Sequence, residues 1–478
     1  MVNAKNQDFN NNKKLTIAII SWSVSHNPLG RAYMLAEALS SRYKVQLIGF
    51  VFDRYGRAIW EPVKNGPISI DSYPGNNFPG FAETLESVAL NIEADIILVC
   101  KPRIPSLQLG LLMKAFQNRP LILDIDDDEI SFMNEQKGHV LDELRVPYGE
   151  TWTRFSETLI PYADHILVSN VSLQDKYGGT VIPHARDEKT FDPELYSKEE
   201  RRKQLGISLE DKIVIFLGTP REHKGLAELL KAVKECKNPS YKLCIMGSFP
   251  DSKLKKQLQS IGGDQLILLP DQPFKDIAKN IVIADAVCLL QDIESEVSKY
   301  QLPAKAIDAI AMGIPILATK TPPIESLISQ GLIMLTSLET ISKDIDKVLS
   351  NSSSLHIEQL KKRPIFLEKY SHEAISDNIE RVMKECLKYP KPLPIEALNF
   401  IDLQKKYLDD VSKLIKAEGE RKENFISMLI EPGSQLDAIN QERVKIERQY
   451  NAILQSRTLK YMLPIWNLIK RVKQFLRV

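Results

Sequence analysis

The sequence predicts an α/β protein with two doubly wound, Rossmann-like domains and a helical C-terminal extension. Three observations predict it. Apolar, β-branched runs alternate with helical periodicity in two separate series. The runs are near-continuously apolar rather than alternating, as expected of parallel strands covered on both faces. Roughly the last ninety residues then become rich in Lys, Glu, Gln and Leu with almost no Gly, a long-helix composition.

The elements follow in order. Residues 1–13 are polar and Asn-rich, lack the apolar stretch of a secretion signal, and predict a disordered start. A first domain spans 14–190, with strands at Leu15–Ile20, Val45–Val51, Asp95–Cys100, Leu121–Ile125 and His165–Ser169. Asp187 to Gln204 is polar, shows no strand pattern and reads as a link. A second domain spans 205–370, with strands at Lys212–Leu217, Lys242–Met246, Gln265–Leu269, Ala286–Leu290 and Pro315–Ala318. One more helix is expected over 371–388, and the Pro-rich stretch 389–394 breaks regular structure. Residues 395–455 read as a helical extension, either continuous or a hairpin broken at Pro432-Gly433, and 456–478 as a basic amphipathic tail helix.

Bulk properties narrow the function classes. A chain of 478 residues has room for about three domains. Hydrophobic residues make up 43% and charged residues 26%, ordinary for a well-cored protein. The net charge of +1 gives no whole-molecule case for nucleic-acid binding. The five cysteines form no Cys-x-x-Cys pair and mostly sit in apolar runs, which points to buried thiols in a reducing compartment. No run of about eighteen apolar residues is present to span a membrane. A cytoplasmic protein is expected.

The segment from Tyr300 to Thr319 reads as a short helix followed by a buried strand. Pro303 suits the first helical position and Gly313 the helix end. Ile307, Ile310 and Ala311 share one face, while Lys305 and Asp308 project from another near the helix N-terminus. A cation, a carboxylate and free N–H groups together suit a nucleoside diphosphate. An ordinary amphipathic helix with solvated charges fits these residues equally well. The strand Lys212–Leu217 ends in a second such element: Gly218, Arg221 and Lys224-Gly225, followed by helical periodicity. Arg221 offers a planar fork and Lys224 a point charge to phosphate oxygens. The turn matches neither the P-loop nor G-x-G-x-x-G, which disfavours an ATPase or a dinucleotide dehydrogenase.

Together these segments resemble the donor-nucleotide domain of GT-B glycosyltransferases of the family 4-like set, glycosyltransferase group 1. In that family an Arg and a Lys-Gly after a strand-end glycine hold the donor diphosphate; Arg221 and Lys224-Gly225 fit those positions. The run Asp308-Ala309-Ile310-Ala311-Met312-Gly313-Ile314-Pro315 matches the second half of the other signature, with Asp308 in place of the ribose-binding Glu. Tyr300 stands where the first Glu is usual, so the sugar contact is altered. The resemblance implies donor binding by Gly218, Arg221, Lys224, Gln301, Lys305 and Asp308. It covers roughly residues 14 to 388, and implies retention of configuration, no metal, and no cofactor beyond the nucleotide-sugar co-substrate. It also implies that the terminal helix of the region crosses back onto the first domain.

On the acceptor side, the first strand runs into a loop with His26, Gly30 and Arg31. It resembles the family's loop that approaches sugar and acceptor, although only one glycine is present. Lys101 and Arg103 follow another strand and could meet an anionic acceptor, or be ordinary loop charges. The run Asp124-Ile125-Asp126-Asp127-Asp128-Glu129 invites a metal reading, since hard oxygen ligands suit Mg²⁺ or Mn²⁺. The cations at the nucleotide site argue for metal independence instead. Asp126 and His26 are the candidate catalytic residues, and Gly30, Lys101 and Arg103 the candidate acceptor contacts.

The tail from Arg457 carries six cations and no acid, with Ile465, Trp466 and Ile469 at helical spacing, and suits an anionic membrane surface. A helix docked on the protein's own surface is the alternative. The expected partners are a nucleotide-sugar donor, a glycan or lipid-linked acceptor and the inner face of the cell membrane. Self-association through the extension is also open. The expected role is surface-polysaccharide biosynthesis. A sugar-nucleotide epimerase-like enzyme and a catalytically silent scaffold remain the alternatives.

Overall fold

The computed structural model describes residues 14–133, 145–221, 224–249, 251–393 and the single positions Lys413, Lys416, Ala417, Glu420, Arg421, Lys445 and Arg448. The chain divides into two compact units, Met1–Leu408 and Asp409–Val478. The described positions of the second unit are all helical. The tail helix expected at 456–478 lies outside the described residues, as does most of the 395–455 extension. Among the described residues, no helix is long and apolar enough to cross a membrane.

The first unit holds two parallel sheets. The first contains β1 (Thr16–Ser21), β2 (Lys44–Val51), β3 (Ile70–Pro74), β4 (Ile96–Cys100), β5 (Leu121–Ile125), β6 (His165–Val168) and β7 (Thr180–Val181), in the order β3-β2-β1-β4-β5-β6-β7. The second contains β8 (Lys212–Leu217), β9 (Tyr241–Met246), β10 (Leu266–Leu269), β11 (Ala286–Leu289), β12 (Ile316–Thr319) and β13 (Met334–Thr336), in the order β10-β9-β8-β11-β12-β13. Both sheets are doubly wound. Each strand feeds both cores because side chains alternate between faces. Ile17 and Ile19 pack on one side of β1, Ala18 and Ile20 on the other. Ile213 and Ile215 alternate with Val214 and Phe216 in the same way on β8.

Three strands were not evident from apolar runs. β3, β7 and β13 lie at or next to sheet edges, are short, and carry half-exposed residues. The link also differs from its expected form. Phe191 and Ile207 enter the second core, and Arg202 of the helix Lys198–Gln204 is buried against Asp285 at 2.7 Å. Residues 191–207 are therefore part of the second body rather than a free connection.

The helix His372–Lys388 packs on the first sheet. Ile375, Ile379, Val382, Met383 and Cys386 join Leu29, Leu35 and Leu39 of the helix Leu29–Ser40 in one core. Ser371 caps it by accepting from the Ala374 N–H at 3.1 Å. Arg42 reaches Glu373, Asp377 and Glu380 along its exposed side. The Pro-rich stretch then continues on the same body, with the Lys391 N–H donating to Asp164 at 2.7 Å. Cys100, Cys244, Cys288 and Cys386 are buried free thiols, and Cys236 is half-buried.

Candidate functional site

In a doubly wound sheet, ligands bind beyond the carboxyl ends of the strands where the strand order reverses. Here the reversals lie between β1 and β4 and between β8 and β11. The loops leaving β5 and β6 meet the loop leaving β11. The Gln301 amide donates to Asp127 at 3.1 Å, and the Asn170 amide donates to the Tyr300 carbonyl at 2.8 Å. The Tyr300 ring lies 4.9 Å from the Lys176 ammonium. Tyr300, at the position where a Glu was expected, thus joins the two bodies.

The second body brings three cations to this point. Gly218 ends β8 at φ 109°, a conformation that favours glycine, and a Cβ there would lie 3.3 Å from the Lys305 Nζ. Arg221 and Lys224 follow in the same turn, joined by a backbone hydrogen bond of 3.1 Å. Gly225, at φ 62°, starts the helix Leu226–Glu235 against Leu290, where a Cβ would collide at 2.8 Å. Lys305 sits in the first turn of the helix Ala304–Ala311, over the Phe216 ring at 4.9 Å. Pro303 is the residue before that helix rather than its first. Burial lowers the Lys305 pKa against the opposing pull of Asp308. Burial, then Lys305, lowers that of Lys224 to about 7, with Arg221 adding and Asp127 opposing. The Lys224 ammonium donates to Gln301 at 2.7 Å. An anion here would relieve mutual repulsion among the cations and meet free N–H groups of the helix Ala304–Ala311.

Asp308 differs from expectation. Its carboxylate is buried and paired with the Arg186 Nε at 2.5 Å. Its Oδ1 accepts from Arg186, and its charge also bears on Lys305.

The first body contributes an acidic cluster threaded with cations. Asp124 is fully buried and holds Arg31 through both carboxylate oxygens, at 2.7 and 3.0 Å. Lys101 lies within 2.9 Å of Asp126, Asp127 and Glu129 alike. Arg103 pairs with Glu129 at 2.6 Å, and Lys176 with Asp128 at 2.7 Å. Five carboxylates here meet four cations, so one is in excess. Burial, reinforced by Asp127 and Asp124, pushes the Asp126 pKa up to about 7. Burial opposes ionisation of Asp127 and Glu129 too, but Lys101, joined by Gln301 at Asp127 and by Arg103 at Glu129, outweighs it and holds both below their ordinary values. Lys101 itself has φ 68°, uncommon outside glycine, and its carbonyl is clamped by the Arg103 N–H and the Ser106 hydroxyl.

Lys101 and Arg103 were expected to face an anionic acceptor. Both are buried, and their charges are paired with Asp126, Asp127 and Glu129. Gly30 sits at the boundary between the two bodies. It lies in the second position of its helix, where a Cβ would touch Trp60 at 3.4 Å and Phe274 of the second body at 3.5 Å, so it packs between domains. His26 does face the cleft. Burial, then Arg103 and Arg221, lowers its pKa to about 3, which keeps the imidazole neutral. His184 escaped the sequence reading; burial, then Arg31 and Arg186, drives its pKa well down, with Asp127 opposing. Its only signal was a position just past a strand too short to recognise.

Comparison with known proteins fits this geometry. The sequence profile of glycosyl transferases group 1 matches residues 197–365. TuaC of Bacillus subtilis (strain 168), a glycosyltransferase assigned provisionally to teichuronic acid biosynthesis, is 24% identical over 172 residues. That match spans 36% of this chain and 41% of TuaC. Among solved structures, Anabaena HepE in complex with UDP and glucose superposes with a TM-score of 0.60 at 15% identity, over 78% of this chain and 100% of HepE. WaaG, a glycosyltransferase involved in lipopolysaccharide biosynthesis, gives 0.55 at 12% identity, over 77% of this chain and 99% of WaaG. At such identities the structures speak for the fold. The body that carries Arg221, Lys224 and Lys305 is therefore a glycosyl transferases group 1 domain, set in the two-domain GT-B architecture.

Proposed function

We propose that the protein transfers a sugar from a nucleotide-sugar donor to a glycan or lipid-linked acceptor during surface-polysaccharide biosynthesis, with retention of anomeric configuration. The observation that carries this reading is the convergence of Arg221, Lys224 and Lys305 beside a helix N-terminus at the β8/β11 reversal, inside the matched family domain. These cations would hold the donor diphosphate and stabilise the charge that builds on it as the glycosidic bond breaks. No metal or further cofactor is required on this reading, because the Asp126–Glu129 carboxylates are engaged by Lys101, Arg103 and Lys176. Asp126, poised near neutrality, is suited to orient or deprotonate an acceptor hydroxyl. TuaC and WaaG support a setting in cell-surface glycan assembly, and HepE supports a UDP-linked donor. The basic tail would hold the enzyme at the inner face of the membrane.

The test is calorimetry with UDP, GDP and dTDP, followed by assays of slow sugar-nucleotide hydrolysis with and without EDTA. One nucleoside diphosphate should bind, and Arg221→Ala and Lys224→Ala should each weaken it by about 1.5–3 kcal/mol. Unchanged affinity in both variants, or no binding by the parent, overturns the donor site. Loss of turnover in EDTA that Mn²⁺ restores overturns metal independence.

A further inference from the structure

The loops leaving β1 and β2 build an aromatic platform that the donor site does not use. The His26 ring stacks on Tyr55 at 3.9 Å, with the planes 8° apart. Trp22 meets His26 edge-on at 4.9 Å, and Tyr148 lies 5.3 Å from Tyr55. Trp22 is only 3% exposed, yet among the described residues its indole N–H has no hydrogen-bond partner, and neither does the buried Ser25 hydroxyl. His26, Tyr55 and Tyr148 are half-buried, so part of each remains accessible. The His26 Nδ1 is engaged by the Ser23 hydroxyl at 3.0 Å, leaving Nε2 as its second polar atom. Arg103 lies over Trp22 at 4.8 Å, but its charge is taken by Glu129.

Flat aromatic faces with a few neutral polar groups suit a ligand that is apolar on its faces and polar at its rim. A pyranose ring has that form, with C–H faces and hydroxyl edges. A phosphate does not, and Lys101 and Arg103 beneath the platform are already paired, which leaves Arg54, 5.8 Å from the Tyr55 ring, as the cation at its edge. His26 also lies within electrostatic reach of Arg221 of the donor site. Resting on the glycosyltransferase reading, we infer that Trp22, Ser25, His26, Tyr55 and Tyr148 form the acceptor subsite and that it takes an uncharged sugar ring. The acceptor is thus recognised by a terminal glycosyl unit and not by a phosphate.

The experiment is saturation-transfer NMR on the full-length protein with methyl glucoside, galactoside, mannoside and N-acetylglucosaminide, with and without UDP, and with glycerol phosphate as the charged probe. At least one glycoside should bind, at least tenfold more weakly to Tyr55→Ala than to the parent. Trp22→Phe, which keeps a ring and removes the N–H, should bind it several-fold more weakly. Melting temperature and UDP affinity, measured beside each variant, identify any misfolded protein. Binding of glycerol phosphate alone, no glycoside binding by the parent, or parent-like binding by a folded Tyr55→Ala overturns the inference. Failure of UDP, GDP and dTDP to bind would overturn the donor reading instead, and the titrations without nucleotide would still decide the platform.

Discussion

Nucleoside-diphosphate binding should draw a proton onto Lys224. Burial and the neighbouring Lys305 and Arg221 hold its pKa near 7 in the free protein. A bound diphosphate reverses the local charge and returns the ammonium toward its ordinary range. At pH 8 the free protein carries Lys224 protonated in about one molecule in ten, so binding should take up about 0.9 proton. Affinity should fall about tenfold, or about 1.4 kcal/mol, for each pH unit above 7 until the bound-state pKa is reached. The ligand contributes little there, because a terminal phosphate has lost its second proton well below pH 8. Calorimetry at pH 8 in phosphate and in Tris, which differ in ionisation enthalpy, counts the protons directly. Lys224→Arg is the control, since a guanidinium does not titrate in this range. Identical enthalpies in both buffers, together with flat affinity from pH 7 to 9, would refute the reasoning.

The other predictions concern the buried charges. Lys224→Met should raise the melting temperature at pH 6, where the desolvated ammonium costs most. The gain should fade toward pH 10, since a folded-state pKa below the unfolded one penalises only the charged form. Asp126 has the opposite sign: its folded pKa of about 7 lies above the unfolded value, so the native state loses stability as pH rises from about 4 to 7. Asp126→Asn should therefore melt like the parent at pH 4 and higher than it at pH 8, and should remove an inflection near pH 7 from the rate profile. Asp124→Asn or Arg31→Met should each cost about 3–5 kcal/mol in denaturant unfolding, because each strands a buried charge, while removing both should cost less than the sum. Asp308→Asn should lower the melting temperature by breaking the Arg186 pair, yet shift nucleoside-diphosphate affinity by less than about threefold by calorimetry.

Central strands were legible because burial on both faces demands uninterrupted apolar residues, as in Ile96–Cys100 and Ala286–Leu289. The edge strands β3, β7 and β13 escaped because they are short and partly exposed. Ile70–Pro74 carries Asp71 and Ser72 and shows no apolar run. Arg221, Lys224 and Lys305 were readable from local sequence alone, since a strand, a turn and a helix N-terminus fix where each cation goes. Their partners were not. Asp127 meets Gln301 across 174 positions, and Arg186 meets Asp308 across 122. No local pattern reveals which carboxylate will consume which cation, so Lys101, Arg103 and Asp308 were all read as free to bind ligand.

The helix His372–Lys388 has a consequence for synthesis. The helix Leu29–Ser40 is among the first elements made, but much of its apolar cover arrives more than 300 residues later. During translation the earlier sheet can assemble while that flank stays wet, through the whole of the second body's emergence. A nascent chain in this state exposes sticky surface and invites chaperone capture. Closure of the flank also needs a very long loop, which slows the final step more than it weakens the finished protein. Separating the halves by a cut near residue 190 would leave the leading fragment permanently in that unsealed condition, soluble only when the trailing fragment is supplied in trans.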